Sequence, residues 1–494
     1  MHIATISSEM VPFAKTGGLA DVCGALPAAL EQIGCKCSCF LPAYRQVMRS
    51  GMRIESTDIT FTVYLAGNHV ACRLLKSHYP GSNVDVYLID QPRYFDRDGL
   101  YAGPQGEYKD NCERFSFFCR SVVEAIDRLN LDIDIVHCHD WQAGLVPAYV
   151  RTRFGHYPWM QRAKTIMTIH NLAYQGRFWH LDMPLTGLDW RYFNHQQMEF
   201  HGDLNLMKTG IVFADNVSTV SPTYAKEITE PGLGCGLEDI LKGRGEHLVG
   251  IVNGVDYQKW DPQIDSHLSQ CYSAADWETG KAACKKALQA ELGMTLAPDA
   301  PLIGIVSRLA DQKGWDLIIP VLERWVANRD VQWAVLGTGD PRYEEQLQAL
   351  ASQRPDKLGA RFEFSETLAH QIEAGSDMFL MPSRYEPCGL NQLYSLKYGC
   401  VPLVHTTGGL ADTVLDSSEG NVSKSVANGF HFNDYSQDGL ESVLNRAIDT
   451  YSFNRDRWRQ IVINGMQADW SWKHSASEYM KLFRYTMDGQ LRGA

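Results

Sequence analysis

The hexapeptide Thr16-Gly-Gly-Leu-Ala-Asp21 returns unchanged as Thr407-Gly-Gly-Leu-Ala-Asp412, and both copies precede a helical pattern. After the first, Leu19, Val22, Leu26, Leu30 and Ile33 fall three and four residues apart, which predicts one apolar helix face. Pro27 inside that pattern is expected to kink the helix or open its ladder. A single echo at so long a separation predicts two similar halves, since a solenoid needs several repeats at a short period.

Working outward, short β-branched runs recur, each followed by a small or polar loop and a helical pattern. They lie at residues 2–7, 84–90, 133–138, 165–170 and 217–221 in the first half, and at 302–307, 332–336, 378–381 and 401–405 in the second. Strands alternating with helices predict an α/β protein with doubly wound parallel sheets. Such sheets bind ligands beyond the carboxyl ends of their strands, so the residues just after each run are the candidates. Asn253-Gly254 is a turn signal. The expected domains are therefore 1–250 and 251–468, with a terminal segment over 469–494. In that segment Ser475-Ala-Ser-Glu478 reads as a capping box, and Tyr479, Leu482 and Phe483 continue on one helix face.

The chain has 494 residues, 45% hydrophobic and 21% charged, enough for sizeable cores and against disorder as the main theme. A net charge of −12 argues against a nucleic-acid footprint over the whole molecule, while leaving room for a local basic phosphate pocket. No apolar run approaches the ~18–20 residues of a membrane helix, and the N-terminus has no basic region of a signal peptide. The 13 cysteines are scattered without CxxC spacing, and Cys35, Cys37 and Cys39 alternate as in a strand. They read as buried thiols of a reducing cytosol.

Lys15 and the glycines Gly17 and Gly18 precede the first helix, where a diphosphate cradle and a plain turn are both open readings. The loop is neither GxGxxG nor a Walker motif. His137-Cys-His-Asp-Trp141 closes another run; Asp140 suits sugar hydroxyls, whereas His137 and His139 lack an obvious third metal ligand. Asp132 and Asp134 sit at the entrance of that strand, the wrong end for a site. His170-Asn171 ends the next run. In the second half Arg308 and Lys313 are spaced to reach one diphosphate, bidentately and as a point charge respectively. Gly337, Gly339, Gly408 and Gly409 are candidate backbone donors. Glu386, set between Tyr385 and Pro387 at a strand end, is a candidate functional carboxylate, and Cys388 beside it is open to a reactive or a packing role.

Together, Lys15–Asp21, His137–Gly144, Thr168–Gly176, Ser307–Gly314 and Glu386–Leu390 resemble, in content and order, the bacterial glycogen synthases and plant starch synthases. The resemblance covers essentially the whole chain. It implies a GT-B fold, two Rossmann-like domains facing across a deep cleft, with the C-terminal helix crossing back to the first domain. It implies transfer of glucose from ADP-glucose to the non-reducing end of an α-1,4-glucan, with retention, without a metal or other cofactor, in the cytoplasm or a plastid stroma. Carried over by motif, Lys15 lies by the donor phosphates, and Asp140 and His170 on the acceptor and glucose side. Arg308 and Lys313 neutralise the departing diphosphate, Glu386 holds the donor glucose with Cys388 beside it, and Phe364 stands where a ring stacks on adenine. Gly17, Gly18, Asp21, Asn171, Asn253, Gly389, Leu390, Thr407, Gly408 and Gly409 complete the candidate substrate-binding set. Related retaining transferases carry a second glutamate eight residues after the first; here that place is Tyr394. Rival readings are a UDP-glucose-dependent GT-B transferase, an α-glucan phosphorylase and a catalytically inactive glucan-binding protein. No residue physically decides the base, and the sequence leaves oligomeric state open.

Overall fold

The computed structural model describes residues 1–489, so the last five residues of the expected terminal segment lie outside the described residues. The chain divides into two compact units, one formed by 1–254 together with the segment from Trp472 onward, the other by Val255–Ser471.

The first unit is built on a nine-stranded sheet of β1 His2–Ile6, β2 Lys36–Pro42, β3 Glu55–Leu65, β4 Asn68–His78, β5 Asp85–Asp90, β6 Ile135–His139, β7 Lys164–Ile169, β8 Asn216–Thr219 and β9 Leu248–Gly250. Their order is β9-β8-β7-β6-β1-β2-β5-β4-β3. All pairings from β9 to β5 are parallel, and β3 and β4 add an antiparallel edge. β1, β6 and β7 are almost wholly buried because helices cover both faces, which is why they read as unbroken apolar runs. Helix α1, Gly18–Gln32, buries Leu19, Val22, Leu26 and Leu30, whereas Ile33 is its C-cap and is 39% exposed. Pro27 stands inside α1 without ending it.

The terminal helix Trp472–Asp488 belongs to this first unit. It begins three residues before the expected cap. Ser475 is therefore inside the helix, and its hydroxyl donates to the Val252 carbonyl at 2.7 Å, because a partner on the neighbouring strand-end loop outcompetes the local amide.

The second unit carries a fully parallel sheet of β10 Leu302–Val306, β11 Gln332–Leu336, β12 Leu358–Arg361, β13 Met378–Met381, β14 Val401–His405 and β15 Phe430–Phe432. Its order is β12-β11-β10-β13-β14-β15, with the switch in winding direction between β10 and β13. Its core includes Trp315, Trp333 and Leu322, and the cluster runs on to Trp458. Both copies of the hexapeptide start a helix just after a strand, α1 after β1 and α2, Gly408–Thr413, after β14.

Candidate active site

In the first unit the loop after β1 is organised by Glu9, a residue the sequence reading passed over. Its side chain is 3% exposed. It accepts hydrogen bonds from the Thr16 amide (2.5 Å), the Thr16 hydroxyl (2.5 Å), the Gly17 amide (3.1 Å) and the Tyr101 hydroxyl (2.7 Å). Two amides of the expected phosphate cradle are thus committed to a protein carboxylate. What the loop offers outward is Lys15, exposed and paired with Asp21 at 2.8 Å, and Gly18 at the first position of α1.

At the end of β6, Asp140 adopts φ 54°, a left-handed conformation that strains a residue with a Cβ by about 1–3 kcal/mol. Hydrogen bonds hold it there. Its amide donates to the Thr168 carbonyl at 3.0 Å, and its carboxyl accepts the His170 amide at 2.8 Å. Burial pushes this carboxyl up to about 7, against the opposing pull of the His170 and Asn171 amides. Asn171 turns its side-chain oxygen back to the Ala173 amide. Asn253 is buried, and its side-chain oxygen has no partner among the described residues.

Behind Asp140 the imidazoles form a row. His139 Nδ1 and His170 Nε2 are 2.9 Å apart, and the His137 and His139 rings meet at 4.1 Å, tilted by 44°. His137 Nε2 lies 2.7 Å from the Thr168 hydroxyl, which is 2.6 Å from that of Ser218. Burial drives His137 and His170 down to about 3 and His139 well below the usual range, so all three are neutral. Among the described residues no group of three or more His, Cys, Asp or Glu side chains is placed to hold a metal ion.

In the second unit Lys313 and Glu386 meet at 2.6 Å, and the Ser383 hydroxyl donates to the same carboxylate oxygen at 2.9 Å. The pair sits at the carboxyl ends of β10 and β13, at the switch in winding. Its walls are backbone. A Cβ on Gly408, whose φ is +44°, would stand 2.0 Å from the Glu386 carbonyl oxygen, and one on Gly409 would stand 2.1 Å from that of Cys388. Only glycine lets α2 approach the Glu386–Cys388 loop this closely. Thr407 caps α2 and is buried, as is Cys388. Gly389 turns with φ +72° into Leu390, the N-cap of the next helix, Asn391–Tyr398.

Arg308 is exposed and donates to Gln312 at 3.0 Å, with the 3-10 turn Asp311–Lys313 between it and Lys313. Three expected backbone donors are already used: Gly337 donates to the Arg361 carbonyl, Gly339 to Glu344 and Gly409 to the Glu386 carbonyl. Phe364, beyond β12, is 85% exposed.

The fold has known counterparts. The TM-score is 0.90 to the catalytic domain of starch synthase IV from Arabidopsis thaliana, solved bound to ADP and acarbose, at 31% identity over 99% of both chains. Sucrose-phosphate synthase from Thermosynechococcus elongatus, 16% identical with a TM-score of 0.59 over 99% of this chain and 100% of its own, shares the fold alone. The class is therefore the GT-B glycosyltransferases. Residues 2–243 match the family described as the starch synthase catalytic domain, and 294–462 the glycosyl transferases group 1. A glycogen synthase of Rhodopirellula baltica is 49% identical over 99% of this chain and 98% of its own. Glycogen synthase 2 of Geobacter sulfurreducens is 43% identical over 99% of each. The chain belongs to the glycogen and starch synthase family.

Proposed function

We propose that the protein transfers glucose from ADP-glucose to the non-reducing end of an α-1,4-glucan, with retention and without a metal. The observation that carries this reading is the cluster of half-buried Lys313 with buried Glu386 and Ser383 at the winding switch of the second sheet. A lysine ammonium has three donors, so Lys313 can steer Glu386 with one and meet a phosphate oxygen with another. Arg308 adds a second cation for the departing diphosphate, which develops negative charge as the glycosidic bond breaks. Glu386 accepts from glucose hydroxyls, and the exposed Phe364 ring supplies a stacking face for adenine. By the motifs they match, Asp140 and His170 serve the glucosyl and acceptor groups, and Lys15 the phosphates.

The sequence offers no second carboxylate as an obvious nucleophile, which favours a front-face route over a carboxylate nucleophile. In that route the bond from the anomeric carbon to the diphosphate oxygen breaks, the acceptor oxygen bonds to the same face, and the acceptor proton passes to the departing phosphate. The deciding experiment follows labelled glucose into glycogen from ADP-glucose and, separately, from UDP-glucose, with a chelator present. Strong incorporation from ADP-glucose, abolished in Glu386→Ala, is the expected result. A preference for UDP-glucose overturns the base, dependence on added metal overturns the metal-free route, and a trapped glycosyl–enzyme adduct overturns the front-face route.

A further inference from the structure

His139 is fully buried and touches a candidate site residue, yet the mechanism gives it no task. A neutral imidazole has one N–H donor and one lone pair, so a hydrogen bond between two of them fixes which nitrogen of each carries the proton. The pair His139 Nδ1–His170 Nε2, at 2.9 Å, has two solutions. If His170 donated from Nε2, the proton of His139 would sit on its own Nε2, a buried atom with no acceptor among the described residues. If His139 donates from Nδ1, its Nε2 keeps only a lone pair. An orphaned N–H is the rarer and costlier of the two, because it forfeits a hydrogen bond to water for nothing. The same reasoning orients His137, whose Nδ1 is buried without a partner and whose Nε2 lies 2.7 Å from the Thr168 hydroxyl.

We infer that His139 is a positioning residue that donates Nδ1–H to His170 Nε2 and thereby holds the proton of His170 on Nδ1. His170 is partly exposed, and its Nδ1 is not among the buried polar atoms left without a partner. That nitrogen is then a fixed donor, beside the Asp140 carboxyl that accepts the His170 amide. Resting on the glucosyl transfer proposed above, this donor serves a sugar hydroxyl oxygen, and Asp140 the complementary acceptor. His139 acts only through His170. Burial keeps both rings neutral, so the arrangement persists across the working pH range.

The test is a nitrogen-15 correlation spectrum of the full-length enzyme with labelled histidine, with His170 assigned by its loss in His170→Asn. The expected spectrum shows His170 protonated on Nδ1; protonation on Nε2 overturns the proposal. His139→Asn places an amide N–H where Nδ1 was, and is expected to keep the His170 tautomer and kcat within about threefold. His139→Leu removes the donor; His170 then loses its Nδ1 preference and kcat falls roughly tenfold or more, with KM for ADP-glucose changed far less. An unchanged tautomer in His139→Leu, or an Asn variant as impaired as the Leu variant, overturns the assignment. Should the Leu variant not fold, the wild-type spectrum and the Asn variant still decide. An enzyme that transfers no glucose sinks the functional reading and leaves the tautomer measurement standing.

Discussion

A carboxylate that is 6% exposed and bonded to one ammonium and one hydroxyl has its geometry set before any ligand arrives. Lys313→Ala removes a leaving-group cation and also leaves Glu386 without its charge partner. It is expected to lower kcat by about 2–4 kcal/mol of transition-state stabilisation, measured by steady-state glucose transfer, with the fold retained by circular dichroism. Turnover within twofold of wild type would remove Lys313 from the leaving-group role. Glu9→Gln trades half of a carboxylate acceptor for an NH2 that faces donors already pointing inward. It should disorder Lys15–Gly18 and raise KM for the donor several-fold; an unchanged KM would show that the loop orders itself. Lys15, Asp140, His170, Lys313 and Glu386 were legible because each follows a strand-forming apolar run. Glu9 follows one as well, but its task depends on the loop folding back so that Thr16 and Gly17 donate to it, which no motif marks.

At the scale of elements, the buried strands β1, β6, β7, β10 and β14 announced themselves as apolar runs with β-branched residues, and β2, equally buried, only as alternating cysteines. The antiparallel pair β3–β4 did not. Its residues alternate between exposed and buried only toward the β3–β4 turn, and its outer half carries Asp58, Thr60 and Arg73 in place of an apolar run. The row at the ends of β6 and β7 yields a pH prediction. His137 and His170 titrate near 3 in the fold against about 6.5 when unfolded, and His139 is depressed further. Depressed histidines stabilise the fold fully above pH ~6.5, and that stability is lost as pH falls toward the folded values. Asp140, raised from 3.8 to about 7, opposes this, since its proton favours the fold as pH drops through the same window. Three histidines against one carboxyl leave acid-side loss dominant among these groups. Urea unfolding between pH 5 and 6.5 should show His139→Asn losing stability less steeply than wild type, by about 1 kcal/mol per pH unit. Identical slopes would mean that His139 is not held neutral.

Across the whole molecule, the second unit is one continuous stretch, whereas the first is closed only when the chain returns at Trp472. The returning helix buries Trp472, Ala476, Tyr479, Leu482 and Phe483 against that unit. Tyr479 and Phe483 lie against the His137 ring at 5.4 and 5.5 Å, and Asn216 donates to Thr486 at 2.9 Å. The last helix in the chain therefore seals the imidazole row that begins at the ends of β6 and β7. Burial of a large apolar side chain is worth about 1.5–3 kcal/mol, and a typical domain's net stability is about 5–15 kcal/mol. Loss of several such side chains at once thus rivals the stability of the entire first unit. A chain ending at Ser471 is expected to lose the first unit's calorimetric transition and glucose transfer together, while the second unit keeps its own transition. The point variant Phe483→Ala should cost the first unit about 3–5 kcal/mol and leave the second untouched. Retention of both transitions in the truncated chain would show that β1 to β9 close without the terminal helix. In that case the row of histidines would owe its neutrality to the sheet and not to the helix that covers it.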